Sequence, residues 1–251
     1  MTMTAEIIQI CSFLGAGIGV GIASVTSGVG TGIIADQANI ALMKQPKAYD
    51  KLFSTMLIGQ AATGTGGIFS LVVALLLLFG GFEQGVVHIH RAAAMLAAGL
   101  AVGLGAVGPA LGAGYSGGEA CRSIGRMPRQ GNIIMGNMLI GQALSQSSSI
   151  FALVVSLLLI FSTPMAIEDP TAARLIQKFI AYLGSGLAIG LGTLGPGAGI
   201  GFVAGKANDA IGRFPRERAK VIRTMFLGAA VSESTAIYAL VVSFLLIFAV
   251  G

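Results

Sequence analysis

An all-α membrane protein of six spans, folded as three tandem helical hairpins, is what this sequence predicts, and three observations predict it. Hydrophobic residues make up 55% of the chain and charged residues only 10%, where soluble domains carry about a quarter charged residues. The apolar residues gather in stretches long enough to cross a bilayer, which takes ~20 residues of helix. One hairpin pattern then occurs three times within the 251 residues, and internal repeats define an architecture before any single motif does.

The expected spans cover 7–35, 53–79, 92–117, 133–161, 175–204 and 224–250. The first is too long for a cleaved leader and MTMTAEIIQI has no basic start, so no signal peptide is expected. The loops after spans one, three and five hold Lys44, Lys47, Lys51, Arg122, Arg126, Arg129, Lys206, Arg213, Arg216, Arg218, Lys220 and Arg223. The other side holds only Arg91, Arg174 and Lys178. Twelve against three predicts that the basic loops are cytoplasmic and both termini opposite. The net charge of +5 is thus a topology signal, and no nucleic-acid partner is expected. Cys11 and Cys121 read as small buried apolar residues. His88 and His90 share one connecting loop and read as solvated, and no Cys, His and carboxylate set has transition-metal spacing.

The repeats are read directly. Even-numbered spans end in SLVVALLLLF (70–79), ALVVSLLLIF (152–161) and ALVVSFLLIF (239–248), below STMLIGQA, GNMLIGQA and RTMFLGAA. Odd-numbered spans carry GVGTGIIADQA (28–38), ALGAGYSGGEA (110–120) and GAGIGFVAGKA (197–207). The copies align without gaps through this core, and the chain divides into hairpins at 1–84, 85–168 and 169–251.

Each odd span ends in a basic residue, a spacer and a proline: Lys44-Gln45-Pro46, Arg126-Met127-Pro128 and Arg213-Phe214-Pro215. Proline stops a helix because it lacks an N–H and crowds the preceding turn. Three cationic turns on one side also offer a docking surface to a soluble partner. The odd spans are rich in glycine, which is unfavourable in a helix unless close packing requires it. On a helical wheel Gly186, Gly190, Gly197 and Gly201 form one stripe, and Gly184, Gly192, Gly195 and Gly199 form another nearly opposite. Stripes of small residues let helix backbones approach closely. Two stripes suit a helix with like neighbours on both flanks, hence a closed ring of inner helices with the bulkier even helices outside. A compact monomeric bundle is the plain alternative.

Among the ten acidic residues, Glu233 alone falls within an apolar helix, in AAVSESTAIYALVV. An intramembrane carboxylate is costly and marks a functional site by default. Removal from water favours the neutral form of a carboxyl group, which makes proton uptake and release feasible chemistry. The matching positions are Gly64 and Gln146, so one chain carries one ionisable site for three hairpins.

GPGAGIGFVAGKA, the Arg213-x-Pro215 turn and VSESTAIY together closely resemble the proteolipid rotor subunit of rotary ATPases, and the resemblance covers nearly the whole chain in triplicate. A single hairpin is usual in F-type members, and fused hairpins that lose carboxylates are typical of V-type ones. The resemblance implies a triple-hairpin c/K-type rotor protein that forms a sector of a homo-oligomeric rotor ring in a prokaryotic cell membrane. It implies a stator subunit whose arginine meets the carboxylate, and a central stalk gripped by Lys44, Gln45, Pro46, Arg126, Pro128, Arg213 and Pro215. Val231, Ser234 and Tyr238 share one helix face and Glu233 points to another flank; Thr235 adjoins the carboxylate. In similar rings a carboxylate is closed by the hydroxyl face of a neighbouring hairpin. The partners of Glu233 are then the Ala62 carbonyl with Thr65, or the Leu144 carbonyl with Ser147, and Ser234 and Tyr238 face Gln146 or Gly64.

Protons are the expected ion and sodium the alternative. Sodium is a hard cation that needs several oxygen ligands. The inner-helix glutamine of sodium-binding relatives is replaced by Thr31, Ala113 and Ile200, although Gln146 could supply a ligand beside Glu233. No further cofactor is expected. No GxxxxGK loop occurs, so ATP chemistry belongs to partner chains. A secondary transporter with a central carboxylate competes, but its repeats are often inverted, and these are parallel. A pore-forming ring without a motor would leave Glu233 unexplained.

Overall fold

The computed structural model describes residues 3–81, 88–164, 166 and 170–250. Among the described residues the chain is all-helical, and six helical segments are long and apolar enough to cross a membrane: Met3–Lys44, Pro46–Phe79, His90–Arg126, Pro128–Phe161, Ala172–Arg213 and Pro215–Val250. The acidic residues Glu83, Glu168 and Asp169, which the sequence puts near the outer ends of spans or in outer loops, lie outside the described residues.

The odd segments are inner helices. The first is the unbroken α1 (Met3–Lys44), the second is α4 (His90–Gly105) with α5 (Val107–Arg126), and the third is α7 (Ala172–Gly192) with α8 (Leu194–Arg213). Proline explains the breaks. Pro109 and Pro196 follow them by three residues, and the matching position in α1 is Ser27. Each proline withholds one helical N–H and frees the carbonyl four residues back. The Ser149 hydroxyl lies 3.5 Å from the carbonyl freed at Gly105.

The even segments are outer helices: α2 (Tyr49–Thr63) with α3 (Thr65–Phe79), the unbroken α6 (Gly131–Phe161), and α9 (Arg218–Leu245), which ends in a π-turn (Leu246–Val250). Each inner helix meets its outer helix through a 3-10 turn whose first residue is Pro46, Pro128 or Pro215. The residues before these prolines, Gln45, Met127 and Phe214, are turned out of the helix to φ between −142° and −130°. Clash with the proline ring disfavours helical backbone there.

The inner helices stand side by side in chain order, with α4 and α5 between α1 and α7–α8. Each outer helix lies in a groove. The first covers α1 and α4–α5, and α6 covers α4–α5 and α7–α8. α9 rests on α7 and α8 and has no comparable inner helix on its other side. The result is an arc with two open edges. Large apolar side chains such as Ile68, Leu71, Phe161 and Leu245 are exposed along the outer helices, as expected where the solvent is a bilayer.

Glycine sets the inner spacing. A Cβ on Gly99 would stand 2.0 Å from the Gly15 carbonyl oxygen, and one on Gly201 would stand 2.1 Å from Gly112 backbone carbons. The stripe Gly186, Gly190, Gly197 and Gly201 packs wholly on the second inner helix. The other stripe is divided. Gly192 and Gly199 meet Ala239 and Ser232 of the chain's own outer helix, and Gly195 has nothing within 4 Å. Part of that stripe therefore makes room for α9, because an outer helix sits in the groove rather than behind its own partner. Gly201→Ala is expected to lower the thermal stability of the detergent-solubilised protein by ~1–3 kcal/mol, since neither backbone can yield. Gly136→Ala, where nothing lies within 4 Å, is expected to be neutral or stabilising by up to ~1 kcal/mol.

One sequence expectation fails at the end opposite the basic turns. His90 opens α4 rather than lying in a solvated loop; it is fully buried, with Nε2 2.8 Å from the Pro164 carbonyl. Arg91, counted as an outer-side charge, is 2% exposed and donates to the carbonyls of Ile160 (2.5 Å) and Thr163 (2.7 Å) and to the Thr163 hydroxyl. The last carbonyls of a helix lack intrahelical partners and carry partial negative charge. Arg91 caps the end of α6.

Candidate functional site

Glu233 lies about 22 Å along α9 from Arg218, at 1.5 Å per residue, half-buried on the flank that faces α6. There the Ser147 hydroxyl donates to Glu233 Oε1 and is also 2.6 Å from the Leu144 carbonyl. Ser147 and Leu144 therefore stand on the neighbouring outer helix at the carboxylate, and of the two candidate hydroxyls the structure brings this one. Thr65 is on the first hairpin, where its hydroxyl donates to the Ala62 carbonyl at 2.9 Å.

Gln146 does not turn toward Glu233. Its amide donates to the Ala62 carbonyl at 3.2 Å and its oxygen accepts from Ser149 at 3.1 Å. Neighbouring helix residues point 100° apart, so Ser147 faces the third hairpin and Gln146 the first. Gln146 and Glu233 occupy equivalent settings, each one aimed at the preceding outer helix. Gly64 is the third member, and α2 and α3 meet there.

The remaining predicted residues fall on the other flank of α9 or on its own backbone. Val231 is 73% exposed and Tyr238 66% exposed on the open edge of the arc. The Ser234 hydroxyl bonds back to the Val231 carbonyl at 2.7 Å, and Thr235 to the Ser232 carbonyl at 3.0 Å. Neither hydroxyl is directed at Glu233, because serine and threonine in a helix readily bond the preceding turn.

At the basic end, Arg126 of the second turn and Arg213 near the third both pair with Asp209, Arg213 at 3.0 Å. Lys51 donates to the Pro128 carbonyl at 3.0 Å. The turns are joined to one another, not merely displayed. Lys44, Gln45, Pro46, Pro128 and Pro215 lie in or beside the same row of turns.

Polar contacts that a reading of the residues alone passes over hold the hairpins together at membrane depth. Gln142 Nε2 donates to the Ala113 carbonyl (3.0 Å), the Gly59 carbonyl (3.1 Å) and the Thr63 hydroxyl (3.3 Å). Asn137 donates to Asn208 at 2.8 Å, and Asn208 to the Ser116 carbonyl at 3.0 Å. The signal available in sequence was the glutamine of LIGQA, present in two copies and replaced by Ala229 in the third.

A hydrogen bond of this kind is worth ~1–1.5 kcal/mol net. Ser147→Ala is therefore expected to free the Glu233 carboxyl and speed its modification by a carbodiimide up to ~10-fold. Thr65→Ala is expected to leave that rate unchanged. Equal effects from the two variants, read by mass spectrometry of the adduct, would assign the latch wrongly.

Comparison with known proteins reproduces the threefold pattern. Residues 14–77, 96–159 and 183–246 each match the family model of the ATP synthase C subunit. The K subunit of the A-type ATP synthase of Methanocaldococcus jannaschii is 30% identical over 233 residues, 93% of this chain and 94% of that protein. The ATP synthase c-type subunit of Alkaliphilus oremlandii is 51% identical over 82 residues, 33% of this chain and 91% of that protein. Its counterpart in Mesomycoplasma hyopneumoniae (strain 7448) is 52% identical over 71 residues, 28% of this chain and 69% of that protein.

Proposed function

The chain belongs to the ATP synthase C-subunit family as a triple-hairpin rotor-ring protein, and we propose that it carries one proton per chain on Glu233. The observation that carries this reading is the latch. Glu233, midway along its apolar helix, meets a hydroxyl donor from the adjacent outer helix, so a carboxyl group can be held closed in the membrane and released elsewhere. Copies of the chain form a closed ring that turns against a stator subunit. An arginine of that stator draws the carboxylate out, and stator half-channels deliver and remove the ion. The basic turns face the cytoplasm and grip the central stalk, with the Asp209 pairs stiffening the row. The host membrane is a prokaryotic cell membrane. The chain itself is non-catalytic, and ATP is handled by partner chains.

Ions moved per turn then equal the number of chains and not the number of hairpins. Each ion crossing 100 mV is worth about 2.3 kcal/mol. With fewer ions per ATP, hydrolysis drives each one against a steeper gradient, and the motor favours ATP-driven pumping. Net ATP synthesis by the purified complex at an ordinary membrane potential would contradict that bias.

Carbodiimide labelling of the purified ring, mapped by mass spectrometry with and without sodium at mildly acidic pH, tests the assignment. The expected result is one adduct per chain on Glu233, at a rate that follows pH and ignores sodium. Protection by sodium would make sodium the coupling ion. An intact ring with no adduct on Glu233 would remove the site.

A further inference from the structure

The arc ends in two edges, and the repeats allow each to be compared with a joint that is already occupied. At the joint between hairpins one and two, Gln142 holds Ala113 of its own hairpin and reaches across to Gly59 and Thr63. Gln60 occupies the matching place in the first hairpin. It makes the matching intrahairpin bond, to the Thr31 carbonyl at 3.2 Å, but among the described residues no other hairpin packs on that flank of the first. The counterparts of Gly59 and Thr63 in the third hairpin are Gly228 and Ser232, both half-buried beside α8, where the Ser232 hydroxyl lies 3.4 Å from the Pro196 carbonyl and keeps an oxygen that can accept.

Two independent features repeat the same correspondence. Lys51 bonds the Pro128 carbonyl across the occupied joint, and their counterparts at the open edges are Lys220 and Pro46. Within the arc, a Cβ on Gly30 would stand 2.4 Å from the Ala110 carbonyl, and one on Gly112 would stand 2.3 Å from the Gly197 carbonyl. The next members of that series are Gly199, which meets no inner helix, and Gly28, which has nothing within 4 Å.

We propose that Gln60 is the polar lock between one copy of this chain and the next, donating to the Gly228 carbonyl and the Ser232 hydroxyl of the copy before it. The occupant of the open third-hairpin flank is the first hairpin of a second copy, in the register that sets Gly28 against Gly199. The inference rests on the ring reading above and adds a division of labour to it. Joints without a carboxylate are locked by a glutamine at membrane depth. The joint that carries Glu233 has Ala229 in that place, so the outer helix that must release an ion is the one left without the lock.

The test uses full-length chain in which Cys11 and Cys121 are alanine. Gln60→Cys with Ser232→Cys, treated with a short membrane-permeant methanethiosulfonate cross-linker, is expected to give a ladder of linked chains on a denaturing gel. Gln142→Cys with Thr63→Cys is expected to link within one chain and give no ladder. Gln60→Ala is expected to lose the ring band at a temperature at which the parent and Gln142→Ala retain theirs. An intact ring with no ladder, beside a control that cross-links, overturns the lock and leaves the ring reading standing. A parent that is monomeric in detergent overturns the ring reading and this joint with it.

Discussion

Glutamine in place of Glu233 is expected to reduce both carbodiimide labelling and ATP-driven ion transport to background while the ring stays intact. The amide keeps the shape of the side chain and an oxygen that accepts from a hydroxyl, so the bond from Ser147 has a partner in the variant. What the amide lacks is a proton that can leave. Structural and transport roles separate here, because a carboxyl group needed only for packing is replaced by glutamine with little loss. Transport by reconstituted vesicles, measured as acidification driven by ATP, is the direct readout. Transport at an appreciable fraction of the parent rate would show that Glu233 is a packing group.

The opposite change, Gln146→Glu, is expected to install a second working site. Its surroundings already match those of Glu233. The Gln146 amide donates to the Ala62 carbonyl, which a protonated carboxyl group can also do, and Thr65 stands beside it where Ser147 stands beside Glu233. Two adducts per chain and a doubled ion count per turn follow. At about 2.3 kcal/mol per ion for each 100 mV, ATP hydrolysis in this variant balances about half the gradient it reaches in the parent. A single adduct from an intact ring would mean that matching neighbours do not suffice.

Much of this arrangement was legible in the residues. Three ungapped copies fixed the hairpins, and stripes of glycine along the inner helices signalled close backbone contact. Glu233 stood out because no other acidic residue interrupts an apolar helix. The choice between Ser147 and Thr65 was not legible, because a helical wheel gives the flank a side chain takes and not which neighbour occupies it. That choice follows from the order of the arc, which puts α6 beside α9. Gln142 was hidden for a related reason: its acceptors Gly59 and Thr63 lie about 80 residues away in the chain and meet it only once an outer helix drops into a groove between two inner ones. The capping role of Arg91 was hidden in the same way, because the carbonyls it binds belong to the end of another helix.

The latch between Ser147 and Glu233 lies inside one polypeptide, and this has a consequence for how a ring keeps time. Were the three hairpins separate molecules, inert and ion-bearing units would be drawn at random, and some rings would hold two carboxylates side by side or a long empty sector. Fusion removes that lottery. In the ring proposed above, every ion-bearing position would be followed by two silent ones in the same sequence around the circle, so torque would arrive at equal angular intervals. The peptide links between hairpins thus act as a cadence, written once in the gene and repeated at every turn.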